Sequence, residues 1–249
     1  MVRRDAYLLA GPTASGKSAA AALLARRMGA AILSADSMLV YKGMDVGTAK
    51  PSADERAEFS MGGIDLVTPA EHFSSGAWLR AAARWLAEVP AGRPVVIVGG
   101  TGLYFSALLR GLDRKWTMPP PAYPVLQLDR AVLHARIAAR LDEMFMRGLA
   151  AEVAKLRQMY PTWSDTASAA IGYKEFIDGE DATRVRDRIL VRTRQLAKRQ
   201  DTWFRHQATP LYVRVGDTAD ETAENVWRTW KEKGPWQVSL PEEGEQDAS

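Results

Sequence analysis

Cysteine is absent from the 249-residue chain, and histidine occurs only three times. Without cysteine there is no disulfide and no thiolate metal site, which is typical of a cytoplasmic protein. No apolar run approaches the length of a membrane span, and the first residues, Met1 to Asp5, lack the apolar core of a signal peptide. We therefore expect a cytoplasmic protein that makes no contact with a membrane.

Strong net charge is also lacking, since 33 Lys and Arg residues face 30 Asp and Glu residues, for a net charge of +3. This mild excess permits a nucleic-acid partner without requiring one. Residues 237–249 are predicted to form an acidic disordered tail, because the stretch from Pro241 onward has no apolar anchor. Residues 1–236 are then predicted to form a single α/β domain, with a short linker at 113–124.

A complete phosphate-binding loop of the pattern G-x-x-x-x-G-K-[ST] lies near the start of the chain. It consists of Gly11, Pro12, Thr13, Ala14, Ser15, Gly16, Lys17 and Ser18. An apolar run of strand length precedes the loop and an Ala- and Leu-rich segment follows, which is the strand–loop–helix context of this motif. The loop amides and the helix N-terminus attract phosphate, Lys17 adds a full charge, and the Ser18 hydroxyl suits Mg²⁺. The loop does not identify the phosphate compound.

Apolar strand segments alternate with helical ones along the chain. This order predicts a parallel sheet flanked by helices, of the P-loop NTPase type, with additional helices toward the C-terminus. The predicted strands are 6–10, 31–33, 64–67, 94–98, 125–128 and 211–215. The predicted helices include 19–28, a helix beginning at 74, 132–145, 149–160, 171–176, 181–206 and 222–231.

Polar groups follow two of the predicted strands. Asp36 comes just after the strand at 31–33, where open α/β sheets bind ligands. From the residues alone, Asp36 is a general base, a Mg²⁺ ligand or the cap of the next turn. Thr101 follows the strand at 94–98 and offers a hydroxyl at the same edge. Residues 42–51 contain two glycines and are predicted to form a mobile loop near the site, with a plain surface loop as the alternative.

The helix predicted at 181–206 is strongly basic. Four arginines lie close to one face: Arg184, Arg188, Arg192 and Arg199. Such a stripe is often only solvated, but the scarcity of acids and the nearby phosphate loop favour an anion-binding role.

Five stretches of the chain together resemble the tRNA dimethylallyltransferases, also called tRNA isopentenyltransferases. These stretches are 11–18, 34–51, 98–104, 171–175 and 193–205. The runs 36–51 and 198–205 are the most specific to that family. The resemblance implies that a dimethylallyl group passes from dimethylallyl diphosphate to the exocyclic amine of an adenosine beside the anticodon. It implies the anticodon arm of tRNA as partner, Mg²⁺ as cofactor and no ATP hydrolysis, and we expect a monomer.

The resemblance also implies roles for individual residues. Asp36 matches the family's general base, and Arg140 is the best match to its pyrophosphate-binding arginine. Lys17 and the loop amides would stabilise the leaving pyrophosphate, with Ser18 holding Mg²⁺. Thr13 and Thr101 match positions near the diphosphate and the nucleotide. The residues expected to be catalytic are Asp36, Lys17, Thr101 and Arg140. The residues expected to contact tRNA are Asp36, Ser37, Met38, Leu39, Thr101, Arg192 and Arg199.

The chain departs from the family pattern at two places. A helical insertion that grips the anticodon arm usually follows the segment matching 108–112, and here a short Pro-rich stretch stands in its place. Met61, Gly62 and Gly63 replace a pair of histidines. A compact tRNA prenyltransferase is the first hypothesis. The alternatives are an adenylate isopentenyltransferase acting on free AMP, ADP or ATP, an RNA-binding module with little catalysis, and a nucleotide kinase.

Overall fold

A mainly parallel sheet forms the centre of the molecule. The computed structural model describes residues 2–111, 121–179, 182–207 and 209–240. Within them the strands are β1 (Val2–Ala10), β2 (Ala31–Ala35), β3 (Met61–Gly62), β4 (Val95–Gly99), β5 (Tyr123–Gln127), β6 (Pro210–Arg214) and β7 (Trp236–Leu240). The order across the sheet is β3-β2-β4-β1-β5-β6, and β7 pairs with β1.

The register brings the carboxyl ends of three central strands level with one another. Ala10 of β1 and Ala35 of β2 both pair with Gly99 of β4. The loops that leave these strands therefore emerge side by side, which is where parallel α/β sheets bind their ligands. The phosphate loop, Asp36 and Thr101 follow β1, β2 and β4 respectively.

Helices cover both faces of the sheet. They are α1 (Lys17–Met28), α2 (Ala53–Glu58), α3 (Ser75–Glu88), α4 (Gly102–Arg110), α5 (Arg130–Met146), α6 (Leu149–Met159), α7 (Asp165–Ser168), α8 (Lys174–Ile177), α9 (Ala182–Gln207) and α10 (Ala219–Lys233). Side chains alternate along a strand, so Leu8 and Leu9 belong to different cores. Leu9 packs with residues of α1 and α10, whereas Leu8 packs with residues of α3, α4 and α9.

The predicted fold class is confirmed, and most predicted elements lie within a few residues of the observed ones. Ser74 caps α3 as its sequence position indicates, because its hydroxyl accepts a hydrogen bond from the Ala77 N–H. No helix in the described part of the chain is both long and apolar enough to cross a membrane.

Three predicted segments differ from the structure: one strand, the linker and the C-terminal tail. The strand predicted at 64–67 is not formed; β3 lies just before it, and Val67 makes only an isolated bridge with Tyr41. Asp65 has a φ of 54°, which breaks an extended run. The linker predicted at 113–124 ends before Tyr123, where β5 begins, and residues 113–120 lie outside the described residues.

The predicted tail begins too early. Residues 237–240 belong to β7, which runs antiparallel to β1 with Val2 opposite Leu240 and Ala6 opposite Trp236. β5 reaches β1 only at Ala10, so the first half of β1 would lack a neighbour on that side without β7. Residues 241–249 lie outside the described residues.

Candidate active site

The phosphate loop has the shape that anion binding requires. Ala14 has a φ of 61° and Gly16 a φ of 88°, both in the left-handed region. Left-handed residues within a short turn direct successive N–H groups inward, and a non-glycine residue in this region is a strained feature typical of functional sites. α1 begins at Lys17, directly after Gly16, so the free N–H groups of its first turn face the same space.

Lys17 is held under the loop. The residue is 9% exposed, and its Nζ donates to the Pro12 carbonyl at 3.2 Å. Burial lowers the pKa of Lys17 to about 8; the Asp36 carboxylate opposes this shift, and Arg140 adds to it. A buried cation beside a second cation is stabilised by an arriving anion, so the electrostatics favour a negatively charged ligand.

Arg140 on α5 also reaches the phosphate loop. Its Nη1 donates to Thr13 Oγ1 at 3.2 Å, and its Nη2 donates to the Thr48 carbonyl at 3.0 Å. Its Nε is buried and has no partner among the described residues. Burial lowers the pKa of Arg140, while Asp36 opposes the shift. The structure thus places the predicted arginine beside the phosphate loop.

A second arginine lies near the same loop. Arg136 is four residues before Arg140 on α5, and its Nη1 would lie 3.7 Å from a Cβ added to Gly16. Arg136 was not predicted to belong to the site, because arginines of an amphipathic helix share one pattern whether they face solvent or a ligand.

Asp36 and Thr101 are joined through the turn that follows β2. Asp36 Oδ1 accepts from the Met38 N–H at 2.9 Å, so the carboxylate caps this turn and also lines the cavity described below. Thr101 Oγ1 accepts from the Ser37 N–H at 2.9 Å and donates to Ser37 Oγ at 3.2 Å. Of the four residues predicted to be catalytic, Asp36, Thr101 and Arg140 line one cavity, and Lys17 lies under the adjoining loop.

The cavity has a volume of about 520 Å³ and two kinds of wall. One end is polar, with Thr13, Asp36, Ser37, Thr48, Thr101 and Arg140. The rest is largely apolar, with Met38, Leu103, Ile137, Leu141, Met144, Ile171, Ile189, Leu196 and Trp203. Such a division suits a ligand with a charged head and a hydrocarbon tail. Leu39, which was predicted to contact tRNA, is not among the lining residues.

Gln200 of α9 connects the two loops of the polar end. Its Oε1 accepts from the Thr13 N–H at 2.8 Å, and its Nε2 donates to the Gly100 carbonyl at 3.0 Å. A Cβ on Gly100 would lie 2.4 Å from that Nε2, so a larger residue there would displace the Gln200 amide. Gln200 lies within one of the motif stretches, but its role was not predicted.

Residues 42–51 lie beside the site as predicted, yet internal bonds fix them. Lys50 is fully buried and its Nζ lies 2.6 Å from Asp45 Oδ1 and 2.7 Å from Asp65 Oδ1. The same Nζ donates to the Tyr41 carbonyl at 2.7 Å. Thr48 Oγ1 donates to the Met44 carbonyl at 2.6 Å. The two glycines of residues 42–51 indicated mobility, but the contacts of the buried Lys50 hold this segment in place.

The two tRNA-contact arginines predicted on α9 have different surroundings. Arg192 Nη1 lies 2.5 Å from Oε1 of Glu175, whose side chain is 1% exposed, and Arg192 Nη2 donates to the Ala169 carbonyl at 3.2 Å. Arg192 thus lies at the cavity wall with its charge balanced by Glu175. Arg199 is exposed and lines both the cavity and a groove along α9. The groove is lined by Gln195, Lys198, Arg199, Thr202, Trp203 and His206.

Ser18 is the residue predicted to hold Mg²⁺. Within the described residues there is no group of three or more His, Asp or Glu side chains that could hold a metal. Ser18 is exposed in the first turn of α1. Mg²⁺ commonly takes one or two protein ligands together with substrate phosphate oxygens and waters. A single hydroxyl beside a phosphate site fits that pattern.

Comparison of the sequence with known protein families gives two matches. The profile of the IPP transferase family matches residues 39–124 and 119–207. The profile of the isopentenyl transferase family matches residues 4–60. Together these matches include the phosphate loop, Asp36, Thr101, Arg140 and all of α9.

Individual proteins are similar along most of the chain. A tRNA dimethylallyltransferase of Azoarcus sp. (strain BH72) is 36% identical over 305 residues, which covers 89% of this chain and 94% of that protein. A tRNA dimethylallyltransferase of Stenotrophomonas maltophilia (strain K279a) is 34% identical over 282 residues, covering 80% and 89%. The crystal structure of the full-length tRNA isopentenylpyrophosphate transferase from Bacillus halodurans superposes with a TM-score of 0.78 at 28% identity, covering 92% of this chain and 98% of that one.

Proposed function

The chain belongs to the tRNA dimethylallyltransferase family, and we propose that it transfers the dimethylallyl group of dimethylallyl diphosphate to the exocyclic amine of an adenosine next to the anticodon of tRNA. The observation that carries the proposal is the arrangement of one cavity. A phosphate loop with two nearby cations, a carboxylate and an apolar wall all face the same space.

In the proposed reaction, the amine nitrogen attacks the first carbon of the dimethylallyl group. A C–N bond forms, the C–O bond to the diphosphate breaks, and inorganic pyrophosphate leaves. The Asp36 carboxylate takes the proton that the amine loses. The turn after β2 fixes Asp36 through the Met38 N–H, which leaves the carboxylate at the cavity surface.

Stabilisation of the leaving group falls to the phosphate loop and its cations. Lys17, Arg140 and the amides of the loop would bind the negative charge that grows on the diphosphate. We propose that Ser18 would hold Mg²⁺, which would supply positive charge at the diphosphate. The apolar wall formed by Met38, Leu141 and neighbouring side chains would hold the dimethylallyl group away from water.

The tRNA would approach along α9. Arg199 and Trp203 line both the groove on this helix and the cavity, so a strand lying in the groove could turn one base into the cavity. Lys198 and Arg199 are exposed and would contact phosphates. Ser37 and Thr101 would contact the target nucleotide near Asp36.

Free adenine nucleotide is the second candidate acceptor, and one observation favours it. The match with the Stenotrophomonas protein extends over 282 residues although only 80% of this 249-residue chain takes part, so tens of residues of that protein have no counterpart here. The two segments matched by the IPP transferase profile overlap at 119–124, where the chain that follows α4 enters β5. Members of the family usually carry the RNA-gripping insertion at this place. The stretch that stands there in this chain is short, which favours an acceptor smaller than tRNA.

One transfer experiment tests the proposal. Purified protein is incubated with labelled dimethylallyl diphosphate, Mg²⁺ and either bulk tRNA or AMP, with Asp36→Asn as the inactive control. Label in tRNA supports the proposed function, whereas label in AMP alone supports the second candidate. Bound dimethylallyl diphosphate without transfer to either acceptor would contradict both.

A further inference from the structure

Three consecutive backbone N–H groups point to one carboxylate behind the site. Glu152 lies in the first turn of α6, and its Oε2 accepts from the N–H groups of Asp45 at 3.0 Å and Val46 at 2.7 Å. Its Oε1 accepts from the N–H of Gly47 at 3.1 Å and from the hydroxyl of Tyr173 at 2.6 Å. A carboxylate with four such donors holds the segment firmly in one position.

The close packing around Glu152 leaves this segment little room to shift. A Cβ on Gly47 would lie 2.6 Å from the Tyr173 ring, so the phenol packs directly against the backbone that Glu152 binds. The Lys50 side chain closes the segment from the other end through Tyr41, Asp45 and Asp65.

The far side of the same segment holds Arg140. The next residue, Thr48, offers its carbonyl oxygen to Arg140 Nη2 at 3.0 Å, and Arg140 Nη1 donates to Thr13 of the phosphate loop at 3.2 Å. The amide groups of residues 45–48 therefore lie between a carboxylate that accepts from their N–H groups and a guanidinium that donates to a carbonyl. Hydrogen bonds arranged in this way polarise and strengthen one another.

We infer that Glu152 is a positioning residue for the diphosphate subsite: it fixes residues 45–48, and the Thr48 carbonyl then fixes the Arg140 guanidinium beside the phosphate loop. Because this role presupposes the diphosphate of the proposed reaction, it deepens the proposed function. Glu152 is absent from the cavity lining, so any effect on the ligand is indirect, and we assign this effect to Arg140.

Calorimetric titration of the full chain with inorganic pyrophosphate and Mg²⁺ tests the inference. Glu152→Gln keeps one oxygen as acceptor but places an NH₂ group against backbone N–H donors, which it cannot accept from. Because the segment is then held less firmly, we expect the affinity for pyrophosphate to fall about 10-fold. Arg140→Gln removes the guanidinium itself, and we expect a fall of about 100-fold. The double variant Glu152→Gln/Arg140→Gln should bind no more weakly than Arg140→Gln alone, because the first change acts through the second residue.

Two controls separate positioning from general support of the fold. Glu224→Gln removes a carboxylate from an exposed ion pair with Arg27 and should leave pyrophosphate affinity unchanged. Leu156→Ala removes a buried α6 side chain that packs against Gly43, at the start of the same segment. If Leu156→Ala weakens pyrophosphate binding by loosening the fold, then in the double variant Leu156→Ala/Arg140→Gln the two fold-reductions in affinity should multiply.

If Glu152→Gln does not fold, Tyr173→Phe replaces it in the same titration. It removes one donor to the carboxylate, and we expect about 3-fold weaker binding that again disappears when Arg140 is already Gln. Wild-type protein that binds no pyrophosphate would contradict the proposed function. Two results would overturn the inference alone, provided that the wild type binds pyrophosphate. One is an unchanged affinity in both Glu152→Gln and Tyr173→Phe. The other is a loss of affinity in these variants that multiplies with the loss caused by Arg140→Gln.

Discussion

The side-chain oxygen of Gln200 accepts a hydrogen bond from the backbone N–H of Thr13 at 2.8 Å, which ties α9 to the phosphate loop. The nitrogen of the same amide donates to the Gly100 carbonyl, in the turn that follows β4. One side chain thus connects the helix proposed to face RNA with both loops of the polar end. Gln200 therefore helps to hold the phosphate loop and the turn before Thr101 in their relative positions.

Removing this connection should weaken diphosphate binding. We expect Gln200→Ala to reduce the affinity for dimethylallyl diphosphate about 10-fold, because two hydrogen bonds between α9 and the loops are lost. Titration in the absence of RNA measures the effect on the loop alone. Gln195→Ala, an exposed residue of the same helix, is the matched control and should have no effect. Equal affinities of the wild type and Gln200→Ala would show that the loop keeps its shape unaided.

The two arginines predicted to contact tRNA should respond differently to charge reversal. Arg192→Glu would place a second carboxylate against the buried Glu175, and we expect it to lower the free energy of unfolding by about 3 kcal/mol. Arg199→Glu affects an exposed residue and should leave stability unchanged while reducing tRNA affinity about 10-fold, with a shallower dependence on salt. Thermal melting and filter binding at several salt concentrations separate the two effects.

An Arg192→Gln variant serves as a control for repulsion, since it removes the cation without adding an anion. It should be more stable than Arg192→Glu. If both arginine reversals reduced tRNA affinity equally and neither changed stability, the pairing of Arg192 with Glu175 would not matter in solution.

The phosphate loop and its supporting strand could be predicted from the sequence because both depend on local patterns. Glycines in a fixed spacing, an apolar run and a helical segment specify the loop without reference to the rest of the chain. Asp36 and Thr101 could be placed at the same edge because parallel strands end together. The register of β1, β2 and β4 confirms this placement.

The residues that hold the site in place could not be predicted, because their partners are distant in sequence. Glu152 meets residues 45–47 across more than a hundred residues, and Gln200 meets Thr13 across 187. Nothing in an acidic residue near a helix start, or in a glutamine within a basic helix, indicates such a partner. β7 was likewise missed, since its pairing with β1 joins the two ends of the described chain.

Asp36 should be required for transfer but not for diphosphate binding. Asp36→Asn keeps an oxygen for the Met38 N–H but lacks a basic carboxylate, so we expect kcat to fall at least 100-fold. The affinity for dimethylallyl diphosphate should stay within about 3-fold, because the phosphate loop and Arg140 are untouched. Single-turnover transfer and equilibrium titration measure the two quantities. A parallel loss of both would assign Asp36 to ligand binding or structure instead of proton transfer.

The buried position of Lys17 predicts a pH dependence of diphosphate binding. Burial lowers the pKa of Lys17 to about 8, so in the free protein this side chain is charged at pH 7 and largely neutral at pH 9.5. A bound diphosphate favours the charged form, so binding above pH 8 must take up a proton, and the affinity contributed by Lys17 falls as the pH rises.

Titration with pyrophosphate in metal-free buffers of different ionisation enthalpy measures this uptake. Lys17→Arg is the control, because arginine keeps its charge while the ionisation of the ligand is the same in both proteins. Identical pH profiles for the two proteins would show that Lys17 keeps its proton throughout, and that its burial does not weaken the charge that faces the diphosphate.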